Sequence, residues 1–147
     1  MHITTKNFDE LSRSELYEIL QLRTEIFVVE QNCAYQDLDG KDQQALHVLG
    51  TKNNKIVAYA RCFAPGLYFE EAAIGRILVK ADERKFGLGH QIVEASIKAL
   101  EEKFRPKTIQ ISAQQYLIAF YETHGFETIG EGYLEDGIPH IAMLRKR

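Results

Sequence analysis

The stretch Arg84-Lys85-Phe86-Gly87-Leu88-Gly89 lies between an apolar strand-like run, Ile74 to Val79, and an amphipathic helical pattern, His90 to Phe104. A strand, a glycine turn and a helix start form an anion cradle. The first amides of a helix have no intrahelical acceptor and point along the positive end of its dipole, and glycine lets a phosphate approach the main chain. A phosphate-bearing ligand is therefore expected here, although six residues alone leave an ordinary strand-to-helix turn open. Two commoner phosphate motifs fail on spacing. Ile92 stands where a dinucleotide fingerprint needs its third glycine, and no acidic residue follows where ribose recognition would want one. The nucleoside-triphosphate loop requires a longer interval between glycines and then Lys-Ser or Lys-Thr, a form this chain lacks. What remains is Arg-x-x-Gly-x-Gly.

A second motif follows further along: Leu117-Ile118-Ala119-Phe120-Tyr121-Glu122-Thr123-His124-Gly125-Phe126. Leu117, Phe120, Tyr121 and His124 fall at helical spacing on one face, and Gly125 suits the left-handed position that ends a helix. A tyrosine on such a face is either a core residue with a satisfied hydroxyl or a functional group.

Working outward, Ser12-x-x-Glu15 reads as a capping box, with Leu11 and Leu16 as a hydrophobic staple, so a helix should start near Arg13. Leu16, Ile19, Leu20, Ile26 and Phe27 define its apolar stripe. Arg23 falls within that stripe and needs a carboxylate, because an unpaired buried charge costs several kcal/mol, an order-of-magnitude figure. The acidic, irregular segment 30–44 offers Glu30, Asp37, Asp39 and Asp42 as partners. Those aspartates do not read as a calcium loop, since Asp42 and Val48 occupy the positions where glycine and glutamate belong.

Ala45 to Gly50 and Lys55 to Phe63 read as a hairpin around Asn53-Asn54, and Ala72 to Val79 as a third strand leading into the glycine loop. The next helix puts Ile92, Val93, Ser96, Ile97, Leu100 and Phe104 on one side and stops at Pro106. Thr108 to Ala113 is a strand, and Phe126 to Tyr133 with Ile138 to Arg145 form a last hairpin around Asp136-Gly137. The element order is strand, helix, three strands, helix, strand, helix, two strands. That order gives an α/β (α+β) fold, a mixed sheet of about seven strands flanked by helices.

At 147 residues, 45% hydrophobic and 27% charged, the chain has the size of one domain, residues 1–147. A net charge of −3, from 18 basic and 21 acidic residues, gives no footprint for nucleic acid. No run reaches the ~20 apolar residues of a membrane span, and the N-terminus lacks an apolar core of signal-peptide length. Two cysteines, Cys33 and Cys62, make neither a disulfide framework nor a metal motif. No metal site is read from the sequence, and a cytoplasmic location is expected.

Both motifs, in this order and context, resemble the general N-acetyltransferase (GNAT) superfamily. The run Leu22 to Gln31, then Asp37-x-Asp39-x-x-Asp42-x-x-Ala45-x-His47, the Ala113-Gln114 pair and Asp136-Gly137-Ile138-Pro139-His140-Ile141 resemble its ElaA-type branch. The resemblance implies a mostly antiparallel sheet, splayed between the strand before the glycine loop and the strand after its helix to admit acyl-coenzyme A. It implies acetyl-coenzyme A as cosubstrate, with its pyrophosphate on the backbone of Lys85, Phe86, Gly87, Leu88, Gly89 and His90, charge from Arg84, and pantetheine along Ile77, Leu78 and Val79. It places Tyr121 beside the sulfur as a candidate acid. Many members carry asparagine seven residues before that tyrosine, where this chain has Gln114, a cofactor candidate with a longer reach.

The implied reaction is direct attack of an amine on the thioester, with an unidentified small molecule, peptide or protein as acceptor. Glu30, His47 and His140 are the candidates for general base. His47 also reads as a buried, hydrogen-bonded histidine, and Arg76 as either an anchor for an acceptor carboxylate or a solvated strand residue. Glu70 and Glu71 read as solvated. The competing readings are a coenzyme A-binding module without turnover and a nucleotide-binding interaction protein. An edge strand near the C-terminus leaves a homodimer open.

Overall fold

The capping box at Ser12 is formed: Glu15 N donates to Ser12 Oγ at 3.0 Å, and Ser12 N donates to Glu15 Oε1 at 2.8 Å. It opens α1, Arg13–Arg23, in a computed structural model that describes residues 1–147. A strand, β1, His2–Asn7, precedes it, and a π-helical segment, Thr24–Glu30, continues it. Buried positions along this length are Ile19, Leu22, Arg23 and Ile26, while Leu16, Leu20 and Phe27 are only half-buried. The stripe read from periodicity missed Leu22.

The remaining elements are β2, Leu46–Lys52; β3, Lys55–Phe63; β4, Ala72–Val79; α2, Leu88–Phe104; β5, Thr108–Gln114; α3, Ile118–Glu122; β6, Phe126–Glu135; and β7, Ile138–Lys146. Both hairpins turn where the sequence placed them. Asn53 and Asn54 take φ of 51° and 63°, and Asp136 and Gly137 take 51° and 78°, the left-handed pair that matches the twist of two adjoining strands.

One seven-stranded sheet results, in the order β1-β2-β3-β4-β5-β7-β6. Every neighbouring pair is antiparallel except β4 and β5, which run parallel and meet only at Ala72 with Ile109 and Ala73 with Gln110. Beyond those two positions the strands part. The splay is therefore a property of the hydrogen-bond register.

The strand β3 is buried along nearly its whole length, because helices cover both faces of the sheet there. Ala58, Ala60 and Cys62 face α2, packing with Ile92, Val93, Ile97 and Leu100; Ile56 and Tyr59 face α1, packing with Ile19, Leu22 and Ile26. A bulge interrupts β4 opposite this strand: Tyr59 pairs with Leu78 but Arg61 with Gly75, so β4 carries one extra residue. Arg76, inside the bulge, has φ of +50°.

Arg23, fully buried, donates from Nε to Asp37 Oδ2 at 2.8 Å and from Nη1 to Asp42 Oδ1 at 2.7 Å. Of the four acids offered by the sequence, two take it. Arg61, 1% exposed, bridges Asp42 at 2.9 Å and Asp39 at 2.5 Å, and Arg76 bridges Asp37 at 2.7 Å and Asp39 at 3.6 Å. The six side chains close a ring in which each arginine holds two aspartates and each aspartate two arginines. The ring fastens segment 31–44 to α1, β3 and β4 at once. Arg76 thus has an internal partner, which neither sequence reading foresaw.

Replacing Arg23 with methionine should lower unfolding stability by about 3–5 kcal/mol in urea titration, because Asp37 and Asp42 lose a buried partner. Burial alone would raise the carboxyls of Asp39 and Asp42, but hydrogen bonds and charge from Arg61, joined by Arg76 at Asp39 and by Arg23 at Asp42, hold both below the usual carboxylate range. A depressed folded-state value gives stability that is present above the unfolded value of about 3.9 and is lost as pH falls through the folded value. The ring should accordingly persist through mildly acidic pH and fail only in stronger acid.

Candidate active site

The parting of β4 from β5 opens a cleft of about 890 Å³. One wall is Ile74 to Val79 of β4, the other is Ile111, Ser112 and Gln114 of β5, and Phe120 and Tyr121 of α3 close the bottom. Gly87, Gly89 and His90 stand at one end of it.

At that end Gly87 is the N-cap of α2, with φ of +69°, a conformation glycine adopts at little cost. The helix starts at Leu88, two residues earlier than its apolar pattern suggested, so Leu88, Gly89 and His90 form its first turn. No side chain caps this turn and it contains no acidic residue. Its amides are thus free to meet an anion. A Cβ on Gly89 would lie 3.4 Å from Phe120 Cζ and 3.9 Å from Val79 Cγ2, so the helix start seats closely against α3 and β4.

Arg84 does not stand free to supply charge. Its Nη1 and Nη2 donate to Glu30 Oε1 and Oε2 at 2.9 and 2.6 Å, and its Nε donates to the Val79 carbonyl at 3.0 Å. Among the expected cofactor residues, Ile77, Leu78, Val79, Arg84, Gly87, Gly89, His90, Gln114 and Tyr121 line the cleft; Lys85, Phe86 and Leu88 do not. Lys85 and Phe86 face solvent, and the Leu88 side chain is buried beneath the turn.

Tyr121 is buried, with its ring edge-on to Phe120 and Phe126. Burial pushes its hydroxyl up from the ordinary tyrosine value. Arg61 Nε is the sole fully buried side-chain donor or acceptor left without a partner, so the Tyr121 hydroxyl, which takes part in no internal hydrogen bond, reaches the open space of the cleft. Gln114 also lines it, 3.5 Å from Gln31 Oε1.

The three base candidates are dispersed. Glu30 lines the cleft but is held by Arg84. His47 is fully buried outside it, with Nδ1 2.6 Å from the Tyr59 hydroxyl and Nε2 2.9 Å from the Asp42 carbonyl, and burial lowers its proton affinity. Its place is structural, bracing the charged ring. His140 lines the cleft, with Nδ1 2.7 Å from the Ile138 carbonyl and Nε2 3.4 Å from Glu135 Oε2.

Glu135, Ser112 and Tyr133 accompany His140 and escaped the sequence reading. The signal was present in the hairpin: Tyr133 pairs with His140 and Glu135 with Ile138, so a two-residue turn at Asp136-Gly137 puts all four on one face. Ser112 joins them because Gln114 opposes His140 in the neighbouring ladder, and Ser112 lies on the face of Gln114.

A model of the acetyltransferase (GNAT) domain matches residues 12–146. The chain belongs to the GNAT acetyltransferase family. The protein ElaA of Escherichia coli K12 is 43% identical over 139 residues, covering 93% of this chain and 91% of that one. Crystal structures agree: an acyl-CoA N-acyltransferase from Pseudomonas aeruginosa superposes with a TM-score of 0.93 at 40% identity, covering 99% of each chain. Escherichia coli ElaA itself superposes with a TM-score of 0.93, covering 99% of this chain and all of that one. The sheet, its splay and the ElaA-type resemblance are thus those of a GNAT N-acyltransferase, and coenzyme A is the acyl carrier of that family.

A side chain at Gly89 would project beside Val79 and Phe120 at the first turn of α2. Changing Gly89 to valine should weaken coenzyme A binding at least about tenfold by isothermal titration, a loss of about 1.4 kcal/mol, while the far-ultraviolet spectrum keeps its shape.

Proposed function

We propose that this protein transfers the acetyl group of acetyl-coenzyme A to an amine by direct attack within a ternary complex. The observation that supports it most is the splay of β4 from β5 with the uncapped start of α2 at one end and the Tyr121 hydroxyl within. Unpaired backbone of β4 can bind a pantetheine arm as an added strand would be bound, while the amides of Gly87 to His90 take the diphosphate. The two free thiols, Cys33 and Cys62, suit a reducing, cytoplasmic setting.

The chemistry follows from what each group can do. A neutral amine attacks the thioester carbonyl and loses a proton to a base, for which His140 is the best placed of the three candidates. The β4 bulge releases Arg76 and Ile77 from regular pairing, which leaves main-chain N–H available for the developing oxyanion. The carbon–sulfur bond then breaks and the leaving thiolate takes a proton from Tyr121.

Burial makes Tyr121 a weak acid, while a thiolate released within the cleft is desolvated as well, which raises its own proton affinity. The two effects oppose one another, so the transfer is governed by how far water is excluded around the sulfur.

Thermal shift measurements with acetyl-coenzyme A, desulfo-coenzyme A, ATP and NAD test the cofactor. The two coenzyme A ligands should raise the melting temperature, since a concentration about 100 times Kd adds ~2.7 kcal/mol, and ATP and NAD should not. Turnover against an amine library separates an enzyme from a silent coenzyme A binder. Tyr121→Phe should lower kcat about 10²-fold with coenzyme A affinity retained; an unaltered kcat would leave Tyr121 with packing alone.

A further inference from the structure

The end of the cleft formed by β5, β6 and β7 holds a connected set of polar groups that the reaction above does not yet use. Ser112 Oγ lies 2.5 Å from the Tyr133 hydroxyl and 3.4 Å from Glu135 Oε1. A carboxylate only accepts, so the Ser112 hydroxyl donates to Glu135 and the Tyr133 hydroxyl donates to Ser112. The other carboxylate oxygen, Oε2, lies 3.4 Å from His140 Nε2. A chain runs from Tyr133 through Ser112 and Glu135 to the imidazole.

The tautomer of His140 is fixed by its other side. Its Nδ1 sits 2.7 Å from the Ile138 carbonyl oxygen, which can only accept, so Nδ1 carries a hydrogen and Nε2 presents a lone pair in the neutral ring. Gln115 Nε2 holds the His140 carbonyl at 3.0 Å and steadies the backbone beneath. His140 is 6% exposed, and its titratable neighbours are Glu135 and Tyr133, whose ring lies nearly parallel to the imidazole at 6.2 Å. In that tautomer Nε2 and Oε2 are both acceptors, 3.4 Å apart at the cleft, and an arriving amine or ammonium can donate to either.

We infer that Glu135 is the positioning residue that makes His140 the general base, an assignment that rests on the acetyltransferase reading above. The acceptor nitrogen gives a proton to Nε2 as its lone pair forms the bond to the acetyl carbon. The imidazolium then has hydrogens on both nitrogens, one on the Ile138 carbonyl and one on Glu135. Glu135 neutralises the charge, and Ser112 with Tyr133 holds the carboxylate at that angle. His140 returns its proton to solvent when product leaves.

Two readouts test this, one independent of turnover. In histidine-labelled protein, the NMR titration midpoint of His140 should fall in Glu135→Gln, because removing the anion disfavours imidazolium; an unmoved midpoint overturns the coupling. With the fastest primary amine from a panel of small amines and lysine peptides, kcat/KM of Glu135→Gln should drop at least tenfold, and its acid limb should shift to lower pH. A drop without that shift, or a shift in the NMR midpoint with no kinetic effect, overturns the assignment. The thermal shift by coenzyme A should survive in Glu135→Gln and in Ser112→Ala, and Ser112→Ala should show the same kinetic change to a smaller degree. Loss of the coenzyme A shift in the unaltered protein would instead strike the acetyltransferase reading itself.

Discussion

Three arginines and three aspartates, of which Arg23, Arg61, Asp37 and Asp42 are buried, would be a heavy liability if a buried one lacked its partner, since desolvating an isolated ion costs several kcal/mol, an order-of-magnitude figure. Closure of the ring removes that liability, because Arg23, Arg61 and Arg76 alternate with Asp37, Asp39 and Asp42 and no charge is left over. The consequence is positional. The three arginines come from α1, β3 and β4, whereas all three aspartates come from one segment with almost no regular backbone structure, so that segment has a single placement that satisfies every partner. Asp42 also gives its carbonyl to His47, and Tyr35 donates to Asp37 at 2.9 Å. Polar contacts do here what apolar packing does elsewhere in the fold.

The ring reaches the cleft through Arg76. A non-glycine residue at positive φ costs on the order of 1–3 kcal/mol unless its surroundings hold it there, and two hydrogen bonds from the Arg76 guanidinium to Asp37 do so. Arg76 is the residue at which β4 loses register with β3. Electrostatics on one face of the sheet thus stabilises the irregularity that shapes the cofactor wall. The parallel pair β4 and β5 keeps only two paired positions, and the backbone beyond them is unpaired because strand divergence and bulge act together.

Much of this was legible in sequence because the signals were local. A capping box, two hairpin turns, a glycine cradle and a proline stop depend on residues within a few positions of one another, and each element formed within about two residues of its expected bounds. Arg23 was legible as a buried charge in want of acids, since a stripe position excludes water. Its partners were narrowed to one segment but not chosen, because pairing depends on how an irregular loop crosses three elements. The positive φ of Arg76 had no signal, as nothing in a strand-like run marks where register slips. The Arg84 clasp to Glu30 was missed for a similar reason: a long flexible side chain beside a presumed anion reads as a phosphate ligand until its carboxylate is seen. Glu135 lay within reach of turn arithmetic, but only the face shared with Ser112 and His140 gives it meaning.

Charge pairing also divides the cleft into two chemical ends. Arg61, Arg76 and Arg84 all line it, and each is held by a carboxylate, so no arginine there is free to attract an anion. Attraction for a diphosphate must come from the main chain, from amides at the start of α2 whose partial charge is fixed and which no acidic side chain in that turn opposes. At the opposite end Glu135 meets only Ser112 and His140, an anion without a permanent cation. A negatively charged carrier and an amine that arrives carrying a proton are therefore favoured at different ends of one groove. On the proposed reading they approach the hydroxyl of Tyr121 in the cleft from opposite directions, and an anionic acceptor would be disfavoured before any chemistry began.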